Sequence, residues 1–463
     1  MSRADAVKID RPRQVSYDVV RAVSDRGSYA NLLLPKSLVK VGLSGRDAAF
    51  ATELTYGTLR WLGTYDAIID RCVDRAVDPP VRDLLRLGAH QILAMDVPAH
   101  AAVSTTVDLA NANGLRAAAG FVNAVLRRIA ASSRASWLEQ ITSGMTADSD
   151  EKLGVEWGHP TWMVTALRRA LLNTGRPERE LVDLLRSDNE PAPVTLVARP
   201  GRSTVDELLA ASRGGARGRW SPYAVTMQSG DPAAIAAVRE RRAGVQDEGS
   251  QLVTLALSSV EIAGAGGVER WLDMCAGPGG KAALLAALAS SRGAEIHAWE
   301  IQPHRAELVQ RSVGPDVQVL TLDATSKEVI DRAAATFARV LLDAPCTGVG
   351  ALRRRPEARW RKSPADLLQL GNVQRRLLAA ATRLVRPGGV IGYVTCSPLV
   401  EETTDVVTEA LAASDGRLRL LDARPLLPGK VPDVGEREFV QLWPHLHGTD
   451  AMFLAVLQRS ELG

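Results

Sequence analysis

Arg270-Trp-Leu-Asp-Met-Cys-Ala-Gly-Pro-Gly-Gly-Lys281, continued by Ala282-Ala-Leu-Leu-Ala-Ala-Leu-Ala289, reads as a strand, a glycine turn and a helix. The apolar run breaks at Asp273 into a turn whose glycines carry no Cβ, so backbone can come close to a ligand there. The turn departs from Gly-x-Gly-x-x-Gly and lacks a Walker Gly-Lys-Ser/Thr ending, which disfavours a dinucleotide or a triphosphate. Downstream the same alternation repeats. Strands are predicted at Arg270–Leu272, Glu295–Trp299, Val317–Leu322, Arg339–Leu342 and Val390–Thr395. Helices are predicted at Ala282–Ala289, Arg305–Arg311, Lys327–Ala335, Leu367–Val385 and Asp405–Ala412. Such alternation is the pattern of a doubly wound, mostly parallel α/β sheet of Rossmann-like type.

In open α/β sheets ligands bind beyond the carboxyl ends of the strands. Reactive side chains collect at those ends: Asp273, Glu300, Asp323, Asp343 with Cys346, and Cys396. One such acid is weak evidence, because Asp is common in loops; five strands in succession each delivering a polar or nucleophilic residue are harder to assign to chance. Glu300 lies about twenty residues beyond the turn, where an acid takes ribose hydroxyls of a nucleoside cofactor. A nucleoside without a phosphate chain suits S-adenosylmethionine, and Asp323 is placed for its adenine side. Cys346 follows Asp343-Ala-Pro, and Cys396 lies in Thr395-Cys-Ser-Pro398. Each follows a strand-like run, where a thiolate can face a cleft. By chemistry alone either thiol can be the nucleophile. Cys72 and Cys275 read as structural thiols. The segment from Arg353 to Lys362 holds six basic residues, which suits phosphate gripping, and its Trp360 is open to base stacking or to core packing.

Upstream the texture differs. Residues 1–140 read as an all-α domain: Val15, Val19, Val20 and Val23 share one helix face, and Leu84, Leu85, Leu87, Ile92 and Leu93 form another stripe. Pro12, Pro35, Pro79-Pro80 and Pro98 punctuate these helices. Arg60, Arg71, Arg82, Arg86, Arg116, Arg127 and Arg128 offer either a solvated face or an RNA contact. Residues 141–240 read as a small α+β linking region. It has helices near Trp162–Leu172 and Glu178–Arg186, a strand at Val194–Ala198 and a helix start at Ser203. The loop from Ser212 to Arg219 places three arginines among glycines, either a plain surface loop or one that meets phosphates. Residues 241–463 form the α/β domain.

The 463 residues are 46% hydrophobic and 24% charged with a net charge of +3, so a nucleic-acid surface must come from local clustering rather than from a polycation. Met1 to Asp10 holds no apolar leader core, and no apolar run is long enough for a membrane span. Four cysteines without a Cys-x-x-Cys pair make neither a disulfide framework nor a zinc site. The expectation is a cytoplasmic protein with no metal and no membrane partner.

Together, Asp-x-Cys-Ala-x-Pro-Gly-Gly-Lys, Asp-Ala-Pro-Cys-Thr-Gly and Thr-Cys-Ser resemble, in order and spacing, the RNA 5-methylcytosine methyltransferases of the NOL1/NOP2/Sun group. The likeness covers about residues 241–463, with Val245-Gln-Asp-Glu-Gly-Ser-Gln251 similar to the entry into the family's methyltransferase domain. Gly249 stands where Ala or Ser is more usual, and Glu300 where Asp is commoner. Tyr56-Gly-Thr-Leu-Arg60, Leu87-Gly-Ala-His-Gln-Ile-Leu93 and Gly120-Phe-Val-Asn-Ala-Val-Leu-Arg127 resemble the NusB RNA-binding fold.

The resemblance implies methyl transfer from S-adenosylmethionine to carbon 5 of a cytosine in 16S ribosomal RNA; another RNA such as tRNA is the alternative target. It implies cofactor contacts from Asp273, Cys275, Ala276, Gly277, Pro278, Gly279, Gly280, Lys281, Glu300, Asp323 and Asp343. It also implies Cys396 as the attacking thiol, Cys346 as its aid in product release, Asp343 on the pyrimidine edge, and Lys281 in the catalytic pocket. Three rivals remain: a non-catalytic NusB-like RNA-binding factor in transcription or ribosome assembly, a DNA cytosine methyltransferase, and a thiol acyltransferase. The last wants a histidine base near a cysteine, yet none of the seven histidines lies in the three cysteine-bearing motifs.

Overall fold

The computed structural model describes residues 10–262 and 267–461. The stretch up to Ile9, on which the expectation about a leader falls, therefore lies outside the described residues. The chain divides into two compact units, one of residues 1–165 with Arg354–Arg361, the other of Ala166–Arg353 with Lys362–Gly463.

In the first unit, helices run from Arg11–Arg26 through Ala30–Val41, Gly45–Arg60, Leu62–Cys72, Pro79–Leu93, Ala99–Ala112 and Ala119–Ala130. The predicted stripes face inward: Val15, Val19, Val20 and Val23 pack with Leu34, Leu54, Leu84 and Leu87. Pro79 and Pro80 open a helix, where a missing N–H costs nothing, as expected. Pro35 is different. It sits inside the helix Ala30–Val41 rather than ending one, so tertiary packing of that helix outweighs the lost hydrogen bond.

Several basic residues read as open to RNA are committed internally. Arg60 is buried, Arg82 pairs with Asp66 and Asp70, and Arg86 pairs with Asp66 and Asp83. The segment Arg354–Arg361 narrows the phosphate-gripping expectation in the same way, although Arg355 stays exposed. Arg359 is fully buried and donates to the carbonyls of Arg60 and Gly158 at 3.2 and 3.0 Å. Buried Glu357 accepts from the Ala30 backbone N–H, and Arg361 lies over the Tyr29 ring. Trp360 packs on Gly63, where an added Cβ would stand 2.1 Å from the indole. Gly63→Ala should therefore destabilise this unit by about 1–3 kcal/mol through overpacking, read as an earlier unfolding midpoint by tryptophan fluorescence.

The second unit contains two sheets. In the small one, β1 (Val194–Ala198) lies between β3 (Ala224–Met227) and β4 (Ala243–Val245), and β2 (Ala216–Arg217) flanks β3. β1 matches its predicted span; the short antiparallel partners carry too few residues to show a period. Part of the arginine loop is thus β2, with Arg217 paired to Asp206 and Arg219 stacked on Trp220.

The large sheet has the order β10-β12-β9-β8-β5-β6-β7. Its strands are β5 (Arg270–Asp273), β6 (Glu295–Glu300), β7 (Gln318–Thr321), β8 (Phe337–Asp343), β9 (Val385–Thr395), β10 (Leu418–Leu421) and β12 (Phe453–Arg459), with β11 (Val440–Gln441) beside β12. From β7 to β9 all pairings are parallel, while β12 pairs antiparallel with β9 on one side and with β10 on the other. The five predicted strands are β5 to β9. The helix expected over Lys327–Ala335 ends at Arg332, and Ala335 adopts φ 53° on the way into β8. β12 was not foreseen, because Phe453–Leu457 is buried on both faces and shows no alternation. β5 is central: the chain leaves it for β6 and β7 on one side and returns to β8 and β9 on the other. The switch point opens a crevice at the carboxyl ends of β5 and β8.

Candidate active site

The turn after β5 is held by its neighbours. Met274 N–H donates to Leu341 O and Ala276 N–H to Trp299 O, each at 2.9 Å. Gly277 N–H donates to Glu300 Oε2 at 3.0 Å, and Gln302 N–H donates to Glu300 Oε1 at 3.0 Å. A Cβ at Gly277 would lie 2.2 Å from that carboxylate oxygen, so only glycine allows the contact. Gly279 adopts φ 111° against Ser312, a conformation L side chains avoid, and the helix Gly280–Ser291 starts behind it. Pro278 lies between these two glycines, and Cys275 and Ala276 precede them, so the predicted contact backbone forms one short arc. Arg305, which the sequence reading did not single out, donates from Nη2 to Gly277 O at 2.5 Å.

Asp273 ends β5 and is almost wholly buried. Neither carboxylate oxygen has a side-chain hydrogen-bond donor among the described residues. Burial, then the charge of Asp343, pushes its pKa up to about 8, with Lys281 and the Cys275 backbone only partly offsetting them. An acid raised in this way favours the fold below its ordinary value near 4, and that contribution is lost as pH climbs towards 8. Asp273→Asn should thus gain stability relative to the parent as pH rises from 4 to 8, by on the order of 5 kcal/mol. Melting temperatures of both chains across that range test this; a pH-independent difference would contradict it.

Asp343 ends β8, and its Oδ2 accepts from Lys281 Nζ at 2.8 Å. Burial pulls the Lys281 pKa down, but Asp343, Cys396 and Asp273 outweigh it and the ammonium is held above its ordinary range. Asp323 follows β7 and is exposed, its Oδ1 accepting from both N–H and hydroxyl of Thr325.

The two sulfurs named from sequence meet: Cys346 Sγ lies 3.4 Å from Cys396 Sγ. One comes from the loop after β8, the other from the residue after β9, and the parallel β8–β9 pairing sets Asp343 beside Val394. Gly350 N–H donates to Cys396 O, closing the loop over the strand end. Neither cysteine is in a disulfide, and both are part-exposed. The Cys396 contact, then burial, then the Cys396, Glu402 and Asp343 charges, holds the Cys346 thiol well above the ordinary range. Burial and the surrounding carboxylates do the same to Cys275, and burial does so to Cys72, consistent with inert thiols.

Behind the pair lies a buried polar set absent from the sequence reading: Thr347, Gln374, Ser397 and Glu402. No spacing rule joins them, because they come from three separate elements. Among the described residues no cluster of three or more His, Cys, Asp or Glu could hold a metal ion, and no helix is long and apolar enough to cross a membrane.

Residues 265–458 match the model of the family described as 16S rRNA methyltransferase RsmB/F, and residues 10–131 match the NusB family. The chain is 49% identical to a putative methyltransferase of Mycobacterium tuberculosis (strain H37Rv), over 97% of each chain. It is 28% identical to the probable ribosomal RNA small subunit methyltransferase B of Bacillus subtilis (strain 168), over 96% of this chain and 98% of that one. The crystal structure of PH0851 superposes with a TM-score of 0.79 at 22% identity, covering 97% of this chain and 99% of that one.

Proposed function

Because the chain belongs to the RsmB/F methyltransferase family, with a NusB-family domain ahead of the matched region, we propose that it methylates carbon 5 of a cytosine in small-subunit (16S) ribosomal RNA. In this reading S-adenosylmethionine is the donor and the base is held through a covalent bond to Cys396. The observation that carries the reading is the 3.4 Å approach of the two cysteine sulfurs beside the Lys281–Asp343 pair.

The donor supplies an electrophilic methyl group. The glycine arc from Cys275 to Lys281 would hold it, with buried Glu300 and exposed Asp323 beyond. The unpaired carboxylate of Asp273 suits a cationic ligand, which would relieve the burial of that charge. The remaining chemistry belongs to the chain. Carbon 5 of cytosine is a weak nucleophile. Addition of the Cys396 thiolate to carbon 6 breaks the 5,6 double bond and makes carbon 5 electron-rich. Asp343 faces the pyrimidine edge and favours a proton on the ring nitrogen; Lys281 orients Asp343 and lends positive charge to Cys396. After methylation the proton on carbon 5 must leave, the double bond re-forms, and Cys396 departs as thiolate.

Cys346 is suited to take that proton. Its neighbour Cys396 is the leading cause of its reluctance to ionise. Once Cys396 is bonded to carbon 6 that influence disappears, so Cys346 can release its own proton to solvent and, as thiolate, take the proton from carbon 5. A flipped-out or single-stranded cytosine is required for access, and the family's ribosomal relatives support RNA as the source. The test is direct: map 5-methylcytosine in 16S ribosomal RNA from cells with and without this chain, and assay methyl transfer from S-adenosylmethionine in vitro. A mark on another base, or no transfer to any RNA, would overturn the reading.

A further inference from the structure

Glu402 is fully buried, six positions beyond Cys396, yet its contacts run to the other thiol's loop. Its Oε1 accepts from Thr347 N–H at 2.7 Å and from Gln374 Nε2 at 3.3 Å; its Oε2 accepts from the Thr347 hydroxyl at 2.5 Å. Gln374 Nε2 also donates to Pro345 O at 2.9 Å, and the Tyr393 hydroxyl donates to Glu402 O at 2.7 Å. Thr347 Oγ1 in turn lies 3.4 Å from Ser397 Oγ. Residues on either side of Cys346, Pro345 and Thr347, are therefore tied to one carboxylate, which is anchored to β9 through Tyr393. All its carboxylate partners donate, the pattern an ionised acid needs.

We infer that Glu402 is a positioning residue for the two-thiol reaction: it straps the Cys346 loop to the Cys396 loop, and its charge keeps Cys346 in the thiol form while Cys396 is the thiolate. The assignment rests on the proposed function only in calling the thiols reactive. The charged groups around Cys346 are few. Asp343 precedes it on β8 and is paired with Lys281 from the helix Gly280–Ser291. Cys396 and Tyr393 come from the β9 side. From the helix Pro364–Leu384, Arg375 is paired with Glu409. Glu401, next to Glu402, is paired with Arg169. Glu402 is thus the buried carboxylate nearest in connection to Cys346 that no cation pairs. Burial raises its own pKa, while Ser397, Thr347 and Gln374 oppose the rise.

The experiment uses the full chain without RNA. Iodoacetamide labelling from pH 6 to 10, with Cys346 and Cys396 peptides separated by mass spectrometry, gives a midpoint for each thiol. Glu402→Gln keeps the side-chain shape and can still bond Thr347, but removes the charge. Its Cys346 midpoint should fall by roughly one pH unit with the melting temperature retained. An unmoved midpoint in a folded variant overturns the inference. Should Glu402→Gln not fold, Cys396→Ser serves instead: losing its leading influence, Cys346 must label at a lower pH than in the parent yet still above the ordinary thiol range near 8.5, since burial and Glu402 remain. A Cys346 midpoint at or below that range overturns it. With RNA present, Glu402→Gln should also shift the pH optimum of methyl transfer downward. If the parent chain transfers no methyl group, the proposed function fails while the labelling result stands by itself.

Discussion

Cys396→Ala should form no covalent complex with RNA and lose methyl transfer by at least about 10⁴-fold, as expected when the nucleophile of a coupled site is removed. Cys346→Ala should instead accumulate the complex. The reasoning is geometric and electrostatic. Cys396 sits at the carboxyl end of β9 with Lys281 influencing it, whereas Cys346 is held in the thiol form by Cys396, burial, Glu402 and Asp343. Of two sulfurs 3.4 Å apart, the one beside the ammonium is the better thiolate and the other the better reserve of a proton acceptor. Without Cys346 the adduct forms and is methylated, but removal of the carbon-5 proton loses its base, worth about 10²–10⁴ in rate. Denaturing gels of each variant with RNA and labelled donor read both outcomes. A stable complex with Cys396→Ala and none with Cys346→Ala would exchange the two roles.

Asp343→Asn should lower turnover by about 10²–10⁴-fold, with a smaller change in RNA affinity. Asp343 accepts from Lys281 at 2.8 Å, and the lysine side chain is only 13% exposed. Asparagine cannot balance that ammonium, and a mostly buried charge that loses its partner costs about 3–5 kcal/mol. Lys281 then has reason to shift its allegiance to Asp273, whose oxygens lack side-chain donors. Two effects are therefore expected together: a slower reaction and a lower melting temperature. The double variant Lys281→Met with Asp343→Asn should recover stability without recovering turnover. Full activity in Asp343→Asn would remove the carboxylate from the proposed chemistry.

How far the residues themselves spoke differs by element. The α/β alternation was legible because β5 to β9 are short, apolar-rich stretches set between helices of ordinary length. The glycine turn, Asp273, Glu300, Asp343 and both thiols were legible because each stands at the end of such a run. Arg354–Arg361 was not. Its charge density looked like a phosphate grip, but Arg359 is buried on two carbonyls and Glu357 on a backbone N–H, so part of that charge is internal structure while Arg355 stays exposed. Local composition cannot distinguish a cation facing solvent from one satisfied by carbonyls far away in the chain. β12 was missed for a related reason: an element buried on both faces carries no period to read.

The residues alone determined the type of sheet, the identity of the chemical groups and the strand ends on which they ride, because these depend on short-range pattern and side-chain chemistry. Only the tertiary structure decided that Cys346 and Cys396 touch, that Lys281 chooses Asp343, that Asp273 stays unpaired, and that Glu402 reaches across to Thr347. Those facts depend on parallel pairing of β5 with β8 and of β8 with β9, contacts between segments tens of residues apart, and the distances they set are what turn a list of reactive side chains into a site.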